Sequence, residues 1–101
     1  MFTRHYAHWP AGLPKTLEVP RASVYANLAA SAARNPGRTA IDYYGSRLSY
    51  AELRREADAL AGFLQRRCGV RKGERVLLYM QNSPQFVIAY YAILRANAVV
   101  V

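Results

Sequence analysis

The chain has 101 residues, the size of one small domain, and is 52% hydrophobic and 20% charged. That composition excludes a disordered or low-complexity polymer. Fourteen Lys and Arg against six Asp and Glu give a net charge of +8, which suits nucleic acid, an anionic membrane surface or a phosphorylated ligand. Seventeen alanines and eight tyrosines inflate the apolar share, so the core is expected to be thin. The single cysteine, Cys68, cannot support a disulfide framework and fits a reducing, cytoplasmic setting. The N-terminal stretch lacks the apolar core of a signal peptide. The longest apolar run, Phe86 to Leu94, is nine residues, about half of what a membrane span needs.

Residues 1–22 carry Pro10, Pro14 and Pro20 without a hydrophobic period. Each proline biases its predecessor towards extended backbone, so this segment reads as an extended arm. Its Phe2, Tyr6, Trp9 and Leu13 are expected to pack on another surface. From Ser23 the pattern turns helical, with Val24, Leu28 and Ala32 four apart, and Asn35-Pro36-Gly37 stops it. Thr39 to Tyr44 is β-branched and aromatic. Gly45-Ser46 is expected to be the two-residue turn of a hairpin returning through Arg47-Leu48.

Ser49-x-x-Glu52 has the form of a capping box, and Leu53, Ala57, Leu60, Ala61 and Leu64 continue as one apolar stripe. Arg66 and Arg67 fall in the last turn, where cations complement the helix dipole, and Gly69 suits a left-handed stop. Arg75 to Met80 is an apolar run of strand length, the kind buried on both faces of a parallel sheet. Ser83 and Pro84 open a third helix, 84–96, that is apolar nearly all round. Asn97 is a left-handed cap, and Ala98 to Val101 begins another strand. The last 27 residues thus read as a β-α-β unit.

These segments, in this order, resemble the opening of the AMP-forming acyl-CoA synthetase superfamily. The resemblance is carried by Asn35-Pro36, Thr39-Ala40-Ile41, Leu48-Ser49-Tyr50-Ala51-Glu52-Leu53, Gly69 to Val76, Met80 to Pro84 and Ala92 to Val100. The arm, His8-Trp9-Pro10 to Val19-Pro20, is similar to fatty-acid-CoA ligases in particular. Glu74, Gln85 and Asn97 stand where Asp, Glu and Gly are commoner in that family.

The resemblance implies an α/β fold: three helices, a short hairpin and a β-α-β unit of a mostly parallel sheet. Residues 1–22 are then the arm, and 23–101 a partial N-terminal subdomain cut inside a strand. It implies an enzyme that joins a fatty acid or another carboxylic acid to ATP as an acyl-adenylate and then to CoA, with Mg²⁺. The phosphate loop, adenine pocket and lysine-bearing domain of that family have no counterpart here: the six glycines are scattered singly. No catalytic, cofactor-binding or metal-binding residue is therefore assigned, and ATP, Mg²⁺ and CoA are not expected to bind this segment by itself. Related readings are an aryl-acid ligase, a carrier-protein adenylation domain, or a stand-alone basic or dimerising module. A cytoplasmic location is expected, with peripheral contact to the inner face of a membrane left open, and the segment is expected to self-associate.

Four local patterns invite sharper readings. His5 and His8 have metal-ligand spacing but no third ligand nearby in a proline-rich arm. Ser49 with Glu52 could be a nucleophile and helper carboxylate, yet no His follows position 8, so capping is the better account. The arginines of the second helix alternate with Glu52, Glu56 and Asp58 as a solvated face does, rather than as a nucleic-acid surface. Cys68 sits at the negative end of a helix dipole, so no reactive thiolate is expected there.

Overall fold

The computed structural model describes residues 1–101. It contains helices α1 (Val24–Arg34), α2 (Tyr50–Arg66) and α3 (Pro84–Arg95). The strands are β1 (Thr39–Tyr43), β2 (Ser46–Ser49), β3 (Arg75–Val76) and β4 (Val99–Val100). β1 and β2 form an antiparallel hairpin, while β3 and β4 pair in parallel on either side of α3. The architecture is the expected α/β one. No helix is long and apolar enough to cross a membrane.

The junction between α1 and α2 is built from local chemistry. Pro36 and Gly37 cannot continue α1, and the loop they form turns its carbonyls on the next helix. Tyr50 N–H donates to the Arg38 carbonyl and Ala51 N–H to the Pro36 carbonyl, each at 3.0 Å. Glu52 N–H donates to Ser49 Oγ at 3.2 Å, and Ser49 N–H returns a bond to Glu52 Oε2 at 2.8 Å. The first-turn donors of α2, which no helix can satisfy internally, are thus all engaged. One loop ends α1 and caps α2. At the far end, Gly69 at φ 70° lets Val70 N–H reach back to the Leu64 carbonyl.

The core is where the three helices meet. Leu28 of α1 packs with Leu53 and Ala57 of α2, and Ile41, Leu48, Val87 and Tyr91 surround them. A second cluster joins Ala61 of α2 to Ala92 and Ala96 at the end of α3. Both helices thus present small residues four apart at their contact, and α2 against α3 is the most extensive packing in the molecule.

Three expectations need correction. The hairpin turns at Tyr44-Gly45, not at Gly45-Ser46, and both central residues lie at positive φ (49° and 82°) as a type I′ turn requires. Tyrosine is unfavourable there, but the register opposes Ile41 to Leu48, two residues that line the same core. A slip of one residue would send Leu48 to the opposite face, so packing overrides turn preference. The strand read over 75–80 is regular only at Arg75–Val76. Its ladder continues to a bond from Leu78 N–H to the Val101 carbonyl and stops before Tyr79. Val76 and Leu78 are half-buried while Leu77 and Tyr79 are 71% and 92% exposed, so one face of this sheet is covered and the other is open. Finally, the arm is not extended throughout: Arg4–His8 forms a 3-10 helix whose His5, Tyr6 and Trp9 rings pack on one another.

Replacing Ser49 with Ala is expected to lower unfolding stability by about 0.5–2 kcal/mol, as loss of a helix N-cap does. The cap is also pH-sensitive. Hydrogen bonds from the Ser49 backbone and hydroxyl hold the Glu52 carboxyl below its usual range. A lowered folded-state value means that its contribution is complete above the ordinary carboxylate range and disappears as pH falls through the lowered value. Denaturant unfolding of wild type and Glu52→Gln should therefore differ at neutral pH and converge in acid.

Candidate functional site

The most connected polar constellation is centred on Asp58, one residue beyond Ala57 on α2. Its Oδ1 accepts the Tyr25 hydroxyl of α1 at 2.5 Å and Arg95 Nε of α3 at 3.3 Å, and its Oδ2 lies 3.7 Å from Arg54 Nε. The Arg95 guanidinium also lies 5.2 Å from the centre of the Tyr25 ring. One carboxylate therefore fastens all three helices. Burial, and then the hydrogen bond to Asp58, push the Tyr25 phenol above its ordinary value. Asp58 is committed to three donors, and Tyr25 holds its proton more firmly than a free tyrosine. This arrangement binds and orients helices. The α2 face read as simply solvated is in this respect a tertiary clasp.

Ser49 and Glu52 are brought within bonding distance, with Ser49 Oγ 2.8 Å from Glu52 Oε2. The geometry is that of a cap. The same carboxylate oxygen accepts the Ser49 N–H, and its lowered pKa makes it a poorer base. His5 and His8 lie one turn apart on the 3-10 helix, and Cys68 is exposed just past α2. No three His, Cys, Asp or Glu residues converge.

A shallow cleft of about 300 Å³ lies between α1, the hairpin and α3, lined by Leu28, Ile41, Leu53 and Val87 with Asn27 and Ser31 at its edge. Its lining is the rim of the core, with few polar groups to orient a ligand. The residues present do not fit a nucleotide or divalent-ion site. The glycines nowhere cluster into a phosphate cradle, and the carboxylates of Glu52 and Asp58 are already engaged.

Only part of this arrangement is legible in the sequence. Arg54 and Asp58 are four apart, a spacing that pairs charges on a helix. Tyr25 and Arg95 lie 33 and 37 residues from Asp58, and no periodicity links them.

The chain matches the model of the AMP-binding enzyme family over residues 28–101. It is 42% identical over 96 residues to a long-chain-fatty-acid–CoA ligase of Bacillus subtilis, a match covering 94% of this chain and 17% of that one. It is 43% identical over 77 residues to the salicyl-AMP ligase / salicyl-S-ArCP synthetase of Mycobacterium tuberculosis, covering 71% and 14%. Its fold is similar to the N-terminal subdomain of Klebsiella oxytoca NpsA, with a TM-score of 0.73 at 29% identity, covering 77% of this chain and 20% of that one. The chain thus spans about one-sixth of the length of these curated relatives.

The clasp has a spectroscopic signature. Because the folded Tyr25 value is raised, its contribution to stability is complete below the free-tyrosine value near 10 and is lost as pH rises through the folded one. Ultraviolet titration of wild type minus Tyr25→Phe should show one late-ionising phenol. Asp58→Ala should move that phenol towards its ordinary value and destabilise the fold by about 1–2 kcal/mol, the worth of a charged hydrogen bond discounted for exposure.

Proposed function

We propose that this chain, which belongs to the AMP-binding enzyme family, is the N-terminal scaffold of an ATP-dependent ligase acting on long-chain fatty acids. In that reaction a carboxylate oxygen attacks the α-phosphorus of ATP, forming the acyl-adenylate and releasing pyrophosphate. The thiol of CoA then attacks the acyl carbonyl, and AMP leaves. The residues on this chain supply the packing on which such a site rests: capped helices, a three-helix clasp and the first parallel strand pair. The sites for ATP, Mg²⁺ and CoA belong to parts of the ligase outside these residues. Residues 1–22 are an arm preceding the subdomain formed by residues 23–101.

The observation that carries the fatty-acid reading is the extent of the Bacillus match, which takes in most of the arm as well as the helical body. A second reading, activation of an aryl acid for transfer to a carrier protein, is favoured by the comparable identity to the salicyl-AMP ligase over a shorter stretch.

Pyrophosphate exchange distinguishes the two. The full ligase carrying this segment should exchange pyrophosphate into ATP with long-chain fatty acids and not with salicylate; the reverse result favours the second reading. The 101-residue chain incubated with ATP, Mg²⁺ and a fatty acid should release no pyrophosphate above blank, and reproducible turnover would overturn the scaffold role. The same chain leaves Leu77, Tyr79, Val99 and Val101 exposed on the β3–β4 sheet, whose edges retain unpaired backbone groups. Sedimentation over a concentration series should therefore show self-association; a monomer at all concentrations would mean that the open sheet is stable in water.

A further inference from the structure

We propose that the groove between α2 and the end of α3 is a site for a phosphate dianion in solution, inorganic phosphate or the terminal group of a small monoester. Gly62 is the first indication. A glycine inside an α-helix is the poorest choice after proline, and Gly62 is not among the glycines whose positive φ requires one. What a side chain there would disturb is Arg66. A Cβ on Gly62 would fall 2.6 Å from Arg66 Nη2, 2.9 Å from Nη1 and 3.0 Å from Cζ, and these are its three nearest neighbours. The Arg66 side chain thus folds back one turn along its own helix, and the bare backbone of Gly62 is the seat on which its guanidinium lies.

Seated there, Arg66 lines a cavity of about 260 Å³ together with Arg95 of α3, Asp58, Ala61, Gly62 and Gln65. No carboxylate lies within 4 Å of Arg66. Arg95 donates to Asp58 through Nε, which leaves its two terminal nitrogens as donors. Asp58, the one acid in the lining, also accepts Tyr25 and pairs with Arg54. Two guanidinium groups therefore face a single carboxylate that is already engaged, and the cavity holds an excess of N–H donors and of positive charge.

The chemistry of the lining selects the ligand. Planar guanidinium forks match the oxygens of a phosphate, which can engage two of them at once; a monocarboxylate occupies one. Ala61 is the single apolar residue in the lining, so neither an acyl chain nor a nucleobase finds a surface to rest on. The paired cations repel a metal ion. The site is independent of the ligase reading, and either can fail without the other.

The test is titration of the isotope-labelled chain with inorganic phosphate and with methyl phosphate, at ionic strength held constant with chloride, reading the arginine Nε–H resonances. Saturable shifts should appear at Arg66 and Arg95, and acetate at the same concentrations should produce none. Arg66→Gln should bind about tenfold more weakly, the worth of a charged hydrogen bond discounted for exposure. Arg71→Gln, with the same net charge, should bind like wild type. Gly62→Ala separates a phosphate seat from a merely structural glycine. Alanine favours the helix and leaves every charge in place, so the melting temperature should hold or rise while phosphate affinity falls. Arg66→Lys, which keeps the charge but not the fork, should also bind more weakly than wild type. Circular dichroism confirms that each variant is folded. Equal affinity in Gly62→Ala and wild type, equal losses in Arg66→Gln and Arg71→Gln, or acetate shifts as large as those of phosphate would each overturn the proposal.

Discussion

The contact between α2 and α3 runs along alanines. Ala61 of α2 packs against Ala92 and Ala96, while Ala57, one turn earlier, belongs with Leu28 and Leu53 to the cluster that Val87, Ile88 and Tyr91 of α3 cover; all four alanines are buried. Helix pairs in proteins lie about 8–10 Å apart according to the side chains between them, and small residues such as alanine favour the close end of that range. That closeness has consequences outside the seam. Asp58, next to Ala57, is near enough to α3 to reach Arg95 and near enough to α1 to accept Tyr25. Leu28 of α1 enters the same junction against Leu53. A larger residue in the seam would separate the helices and loosen the clasp together with the core.

The core built this way is thin. Ten of 101 residues are buried, and most of them are alanine, so the molecule gains less from apolar burial than a leucine-rich domain of equal length. The radius of gyration, 17.5 Å, exceeds the roughly 13 Å of a compact chain of about this size. Stability is correspondingly dependent on saturated polar ends: the completed cap of α2, the Ser83 cap of α3 whose Oγ accepts Phe86 N–H at 3.3 Å, and the Asp58 clasp. The apolar face on the β3–β4 sheet is open, and the carboxylates of Glu52 and Asp58 are occupied in capping and joining helices.

Charge is divided in the same manner. Around Asp58 the arginines are consumed by structure, while those at the end of α2 and in the following loop are free. The net value of +8 conceals this division, and Arg4, Lys15, Arg21, Arg34 and Arg38 elsewhere in the chain also have no carboxylate within 4 Å.

What the sequence by itself determined is what acts over a few residues. Ser49 with Glu52, Ser83 with Pro84, and the left-handed Gly69 and Asn97 are legible because a cap needs only the next three or four positions. The three helices follow from apolar spacing of the same reach, and the ordered motifs from Asn35 to Val100 identify the family without any coordinates. Tertiary structure decided the rest. Tyr44 accepts a positive φ because the core claims Ile41 and Leu48 on one face, a demand that no turn residue records. β3 is regular only at Arg75–Val76, where it pairs with Val99–Val100, residues more than 20 positions later that its own apolar run does not mark. The Asp58 clasp was hidden for the same reason. Its partners come from helices that meet only after the alanine seam has brought them together, and a residue pattern carries no mark of a contact whose distance is set by packing.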